Sequence, residues 1–88
     1  MELVTLPQSR DLEKSILGAI LMDKRTLPLA VGHLKREVFY DLGHQKIFDV
    51  VKKMYDDGVY VDITTLNQKL KDDESYKELG GAFYLSKL

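Results

Sequence analysis

Two histidines, two pairs of adjacent aspartates, three basic doublets and five tyrosines are the side chains of this sequence whose types suit chemistry or ligand contact. His33 and His44 stand eleven positions apart on different expected helices, so their spacing does not make a metal pair. His44, near a helix start, reads as a hydrogen-bonding packing residue. Asp56-Asp57 and Asp72-Asp73 have the composition of metal ligands, but each pair falls at an expected helix end. A solvated rim is the reading there. Carboxylates that work as general acid and base need burial or a close partner to tune them, and no pattern in the sequence demands that. Lys24-Arg25, Lys35-Arg36 and Lys52-Lys53 suit phosphate contact, and Tyr40, Tyr55, Tyr60 and Tyr76 suit base stacking. Acids lie within a few residues of every doublet, however, and the tyrosines recur at core spacing. Tyr60, Lys52 and Lys53 are expected to be exposed. No phosphate loop, dinucleotide fingerprint or zinc-helix motif occurs. The residues thus assign no catalytic, cofactor or metal site, and they leave the partner-binding surface open.

The elements that would position these groups are helices. Asp41–Gly58 is the clearest, with Asp41 as N-cap and Gly58 as the left-handed residue past the C-terminus. Ile47, Phe48, Val51, Met54 and Tyr55 recur at three- and four-residue steps and form its buried stripe. A first helix is expected over Arg10–Met22, capped by Ser9 after an extended Met1–Pro7 arm. Asp11 and Glu13 would meet the positive end of its dipole. Its stripe would be Leu12, Ile16, Ala19 and Ile20, widened by Leu17 and Leu21, with Gly18 at a close helix–helix contact. Thr26 would cap a short helix over Leu27–Leu34, with Leu27, Val31 and Leu34 facing inward and Pro28 in the first turn. Phe39 and Tyr40 would plug the core. Val59–Val61 would be an extended crossover without a partner strand. Asp62 would cap a helix over Ile63–Lys71, with Ile63, Leu66 and Leu70 inward, and Asp72-Asp73-Glu74 would help end it. A turn at Ser75–Leu79 and a break at Gly80-Gly81 would precede a last helix from Ala82. The fold class is therefore all-α, a small compact orthogonal bundle of about four to six helices.

The bulk numbers bound the rest. Eighty-eight residues make one domain. Its stability should be modest, about 4–13 kcal/mol at the usual 0.05–0.15 kcal/mol per residue. Thirteen basic and fourteen acidic residues are interspersed for a net charge of −1, which is not the footprint of an obligate DNA binder. No cysteine is present, so disulfides, thiolate metal sites and thiol nucleophiles are excluded. No apolar run reaches the length of about 18 needed to span a membrane. The N-terminus is not a targeting peptide. A cytoplasmic location is the expectation.

Four blocks, in order, resemble one family. Pro7-Gln8-Ser9 with Glu13 and Ser15–Leu21 is similar to the opening of the N-terminal domain of the DnaB-type replicative DNA helicases of bacteria. Phe39-Tyr40, His44 and Ile47-Phe48 are similar to its second block, Val61–Leu66 to its third, and Gly80-Gly81 with Tyr84-Leu85 to its closing one. The resemblance covers about Leu6 to Leu88. Departures fall at Arg36-Glu37-Val38, at Val61 and over Asp72–Lys77, on expected surface or linker. The resemblance implies structural roles for Gly18, His44, Ile47, Phe48 and Asp62. It implies that residues 1–88 are the globular head of the collar domain of a ring-shaped hexamer that moves on single-stranded DNA. Primase, and sometimes a helicase loader, would dock on that collar. ATP and Mg2+ would act in a motor domain outside this sequence, beyond a helical hairpin also outside it. The sequence is accordingly expected to continue past Leu88 in nature. This piece alone is expected to be a monomer or weak dimer without ATPase or unwinding activity. The alternatives are a stand-alone helical nucleic-acid-binding domain, with strongly salt-dependent affinity, and a small enzyme with perturbed titrating groups in a pocket.

Overall fold

The Asp41–Gly58 stretch forms the helix at the centre of the fold. In the computed structural model, which describes the backbone of residues 7–88 and the side chains from Arg10 onward, this helix, α3, runs Leu42–Asp56. The Asp41 carboxylate accepts from the Gly43 and His44 N–H groups. At the other end Gly58 has φ +74°. Its N–H donates to the Tyr55 carbonyl, and the Val59 N–H donates to the Met54 carbonyl at 2.8 Å. That pair of bonds is a Schellman stop, and it satisfies carbonyls that the helix itself cannot reach. Ile47, Phe48, Val51 and Met54 are all buried on one stripe. Tyr55 departs from the expectation: it is 41% exposed, one step round the helix from Met54.

Around α3 the order is α1 Pro7–Met22, α2 Thr26–His33, a 3-10 turn at Arg36–Val38, then α4 Ile63–Leu70, α5 Glu74–Leu79 and α6 Gly81–Leu85. Packing against α3 are α1, α2, the 3-10 turn, α4 and α5, and α6 closes over α4 and α5. The all-α expectation holds, and Val59–Val61 is not a strand. The radius of gyration is 12.2 Å, against about 12 Å for a packed domain of this size.

Several local expectations are corrected. The first helix begins at Pro7, a favoured first helical residue, so Ser9 lies within the helix rather than before it; the expected arm at Met1–Leu6 lies outside the described residues. On α1 the buried face is Glu13, Leu17, Gly18 and Ile20, while Leu12 and Ala19 are exposed and Ile16 and Leu21 are half-buried. The stripe is rotated because Glu13 points inward and is satisfied there. Gly18 does face a close contact, but with the Leu88 backbone rather than a helix: a Cβ at Gly18 would lie 2.9 Å from the Leu88 carbonyl carbon. Thr26 is the first residue of α2, not its cap, and Arg25 precedes it without a side-chain capping bond. Ala30 is the buried residue of that helix, and Leu27, Val31 and Leu34 are half-buried. Phe39 plugs the core and Tyr40 does not, being 59% exposed. Asp62 caps α4 through a reciprocal box with Thr65, as a capping pair should, but Ile63 is exposed. Asp73 does not merely end α4; it caps α5 by accepting the Tyr76 N–H. On α6, which starts at Gly81, Leu85 is buried and Phe83 exposed.

Candidate functional site

The most concentrated chemistry lies where α1, the start of α3 and α6 meet. Glu13 comes from the second turn of α1, His44 from the first turn of α3, and Tyr84 from α6. The His44 Nδ1 stands 2.7 Å from Glu13 Oε1, and its Nε2 stands 2.6 Å from the Tyr84 hydroxyl. The ring is fully buried and Glu13 nearly so. Glu13 accepts twice more, from the Tyr40 N–H at 2.7 Å and the Asp41 N–H at 3.3 Å. An acid that accepts three times is working as a carboxylate. It therefore accepts a hydrogen bond from Nδ1–H, and in the neutral ring this leaves Nε2 to accept the Tyr84 O–H. Tyr84 stacks on His44 with ring centres 5.8 Å apart. Burial pushes its phenol above the ordinary value, with neighbouring Arg10 opposing that shift. Arg10 also donates to Asp41 Oδ2 at 2.7 Å, so one aspartate caps α3 with one oxygen and binds α1 with the other.

The arrangement has the order of a hydroxyl–imidazole–carboxylate relay. The imidazole at its centre is fully buried, and Tyr84 is half-buried. No described buried side-chain nitrogen or oxygen lacks a partner, which is how a structural polar network is finished. The expected packing role of His44 is thus met. Glu13 was legible as a helix-dipole acid and a member of the opening block, and Tyr84 only as a member of the closing block, so their meeting with His44 was not read. The signal present in the sequence was the place of Glu13 four and seven residues before Leu17 and Ile20, on the same helix face.

The other candidates are scattered. His33 is exposed at the end of α2. Asp56 and Asp57 are exposed, and Asp57 pairs with Lys53 at 3.2 Å. Asp72 is exposed, and Asp73 is held by Ser75 and Tyr76. Among the described residues no group of three or more His, Asp or Glu side chains is placed to hold a metal ion. Arg36 pairs with Asp49, and Arg25 with Asp23. Tyr76 is buried and donates to Asn67, as core spacing implied. Tyr40 and Tyr55 are surface residues instead, and Tyr60 is exposed as expected. The Lys24 ammonium sits 4.9 Å from the centre of the Tyr60 ring. Lys52 and Lys53 are exposed as expected. A cleft of about 270 Å3 is lined by Val50, Met54 and Val59 together with Lys46, Asp49, Lys53 and Asp57 from α3 and its end and Lys69 from α4. No described helix is long and apolar enough to cross a membrane.

Residues 5–88 match the family model described as the DnaB-like helicase N terminal domain. The chain is 40% identical over 82 residues to the replicative DNA helicase DnaB of Geobacillus stearothermophilus, covering 93% of this chain and 18% of that protein. It is 34% identical over 82 residues to the DnaB of Rhodothermus marinus, covering 93% of this chain and 9% of the relative. With the replicative DNA helicase DnaC of Bacillus subtilis it shares 35% identity over 80 residues, 91% of this chain and 18% of that one. No solved structure matches it. The chain therefore spans less than a fifth of the length of these curated relatives. A helical domain built on α3, with a sealed polar network and a match along nearly its whole length, belongs to the DnaB-like helicase N-terminal domain family.

Proposed function

We propose that this chain is the interaction and assembly module of a hexameric ATP-dependent replicative DNA helicase, which unwinds duplex DNA at the replication fork. In this reading the domain contributes to the collar of the ring and docks primase, with a helicase loader as a further partner. It contacts single-stranded DNA only through the rest of the protein and works in the cytoplasm. It performs no catalysis of its own. The observation that carries the reading is the family match over residues 5–88 to proteins named as replicative helicases. Two features support the absence of catalysis. The sequence has no phosphate loop that would cradle ATP, so nucleotide and Mg2+ are assigned to the motor of the whole protein. The imidazole at the centre of the acid–imidazole–phenol network is fully buried.

The test is a titration of the isotope-labelled domain with the C-terminal domain of the cognate primase, followed by amide chemical shifts. Shifts gathered on one face are expected and would map the dock. An absence of shifts at near-millimolar concentration would count against docking by this domain alone. A clean preparation is expected to show no ATP hydrolysis. The alternative of a stand-alone nucleic-acid binder draws on the exposed Lys24–Tyr60 pair. It predicts single-strand affinity that falls steeply with salt and is lost in Tyr60→Ala.

A further inference from the structure

The cleft formed by α3, its end and α4 is built from two kinds of wall. Val50, Met54 and Val59 give it apolar surface. Val59 is exposed and Val50 half-buried, so part of that surface faces water. With them stand three ammonium groups, Lys46, Lys53 and Lys69, and two carboxylates, Asp49 and Asp57. Both carboxylates are already paired, Asp49 with Arg36 and Asp57 with Lys53, each at 3.2 Å. Lys46 is paired as well, at 3.6 Å with Asp73, which does not line the cleft. Lys69, in the last turn of α4, is exposed and has no ion pair among the described residues. In a domain of net charge −1, this hollow thus sets one uncompensated positive charge beside apolar surface.

We propose that this cleft docks a segment of a partner protein in which a large apolar side chain is flanked by carboxylates. The side chain lies against Val50, Met54 and Val59, and a carboxylate meets Lys69. The cleft's volume, about 270 Å3, falls just short of the about 300–1,000 Å3 of clefts that enclose whole small ligands. It suits a single anchoring side chain, and a few such anchors carry most of the energy of an interface. Charge then selects among segments that bring one. An acidic segment finds Lys69 unpaired, whereas a basic one meets three ammonium groups and no carboxylate that lacks a partner. Any partner with a segment of this chemistry fits, primase or another.

Amide chemical shifts of the isotope-labelled chain, titrated with four capped tripeptides, test the proposal. The probes are acetyl-Glu-Phe-Glu-amide, its Gln-Phe-Gln and Lys-Phe-Lys counterparts, and Glu-Ala-Glu. The Glu-Phe-Glu peptide is expected to give saturable shifts centred on Val50, Met54, Val59 and Lys69. Gln-Phe-Gln should bind about two- to fivefold more weakly, Lys-Phe-Lys more weakly still, and Glu-Ala-Glu should not saturate. In Lys69→Gln the Glu-Phe-Glu peptide should fall to the affinity of Gln-Phe-Gln, which itself should lose nothing, so the pair is isolated as in a double-mutant cycle. Shifts centred away from the cleft, or none that saturate with Glu-Phe-Glu, would overturn the proposal. Equal binding of the acidic and neutral peptides, or an equal loss of both in Lys69→Gln, would also overturn it and leave Lys69 to the dipole of α4. Concentration-dependent shifts at the same four amides without peptide would put a second copy of the chain in the cleft, and that too would overturn it.

Discussion

Glu13 accepts from an imidazole and two backbone N–H groups, and it does so from inside the domain. Removing one member of such a set costs more than the bond itself, because the others stay buried without partners. Glu13→Ala should therefore destabilise the domain by about 3–5 kcal/mol, measured as a shift of the urea midpoint. A fall below 1 kcal/mol would mean that water enters and replaces the carboxylate. The caps of α4 and α5 carry a pH dependence. The Thr65 N–H leads the hydrogen bonds that hold the Asp62 carboxyl below its ordinary value, and the Ser75 hydroxyl leads those that do so for Asp73. A carboxyl whose folded value is lowered contributes stability above its unfolded value and loses it as pH falls through the folded one. Acid should thus weaken α4 and α5 only below about pH 4, seen as amide shifts that titrate at Thr65 and Tyr76. Titration of those amides at higher pH would contradict the capping assignment.

At the scale of the element, close approach decides more than helix propensity does. Gly43 sits in the first turn of α3 where α5 crosses it. A Cβ there would run into Leu79 Cδ1 and Cγ. Gly43→Ala should cost about 1–3 kcal/mol through overpacking, although alanine favours a helix more than glycine does. A neutral or stabilising result would show that Leu79 simply moves aside. Gly58 poses the opposite case. Nothing lies near its missing side chain, and only its φ of +74° forbids one. Gly58→Ala should cost about 1–2 kcal/mol, whereas Gly58→Asn should recover part of that, since asparagine tolerates the left-handed region. Equal losses in the two variants would move the cause from backbone conformation to side-chain contact.

Over the whole molecule, stability rests on one core around α3 rather than on separate subdomains. Leu17, Phe39, Ile47, Phe48, Val51, Leu66, Leu70 and Leu85 share that core, and they come from α1, the linker, α3, α4 and α6. Urea unfolding should be a single cooperative transition of about 4–13 kcal/mol, with circular dichroism and tyrosine fluorescence coinciding. Two separated transitions would mean that the core is divided. The surface is more apolar than the core pattern implied, with Met22, Leu29, Leu42 and Phe83 all more than 60% exposed. The proposed collar role calls for surface that a neighbouring protein covers, and such residues suit it.

The sequence by itself determined the helices, their stops and the central stripe. Asp41, Gly58, Asp62 and the Ile47–Met54 periodicity act through their immediate neighbours, so local order is enough to read them. It also carried the family, through four short blocks in series. What only the tertiary structure decided was which way each shorter helix faces and which distant groups meet. Leu12, Tyr40, Tyr55 and Ile63 are apolar at plausible inward positions and still lie outside. Which side of α1 faces inward, how far the buried stripes of α3 and α4 extend and which way the linker at Tyr40 turns are set by contacts that periodicity does not encode. The Glu13–His44–Tyr84 network joins positions 31 and 40 residues apart. Each of its members has an ordinary local explanation, and the shared buried bonds exist only once three helices have been packed together.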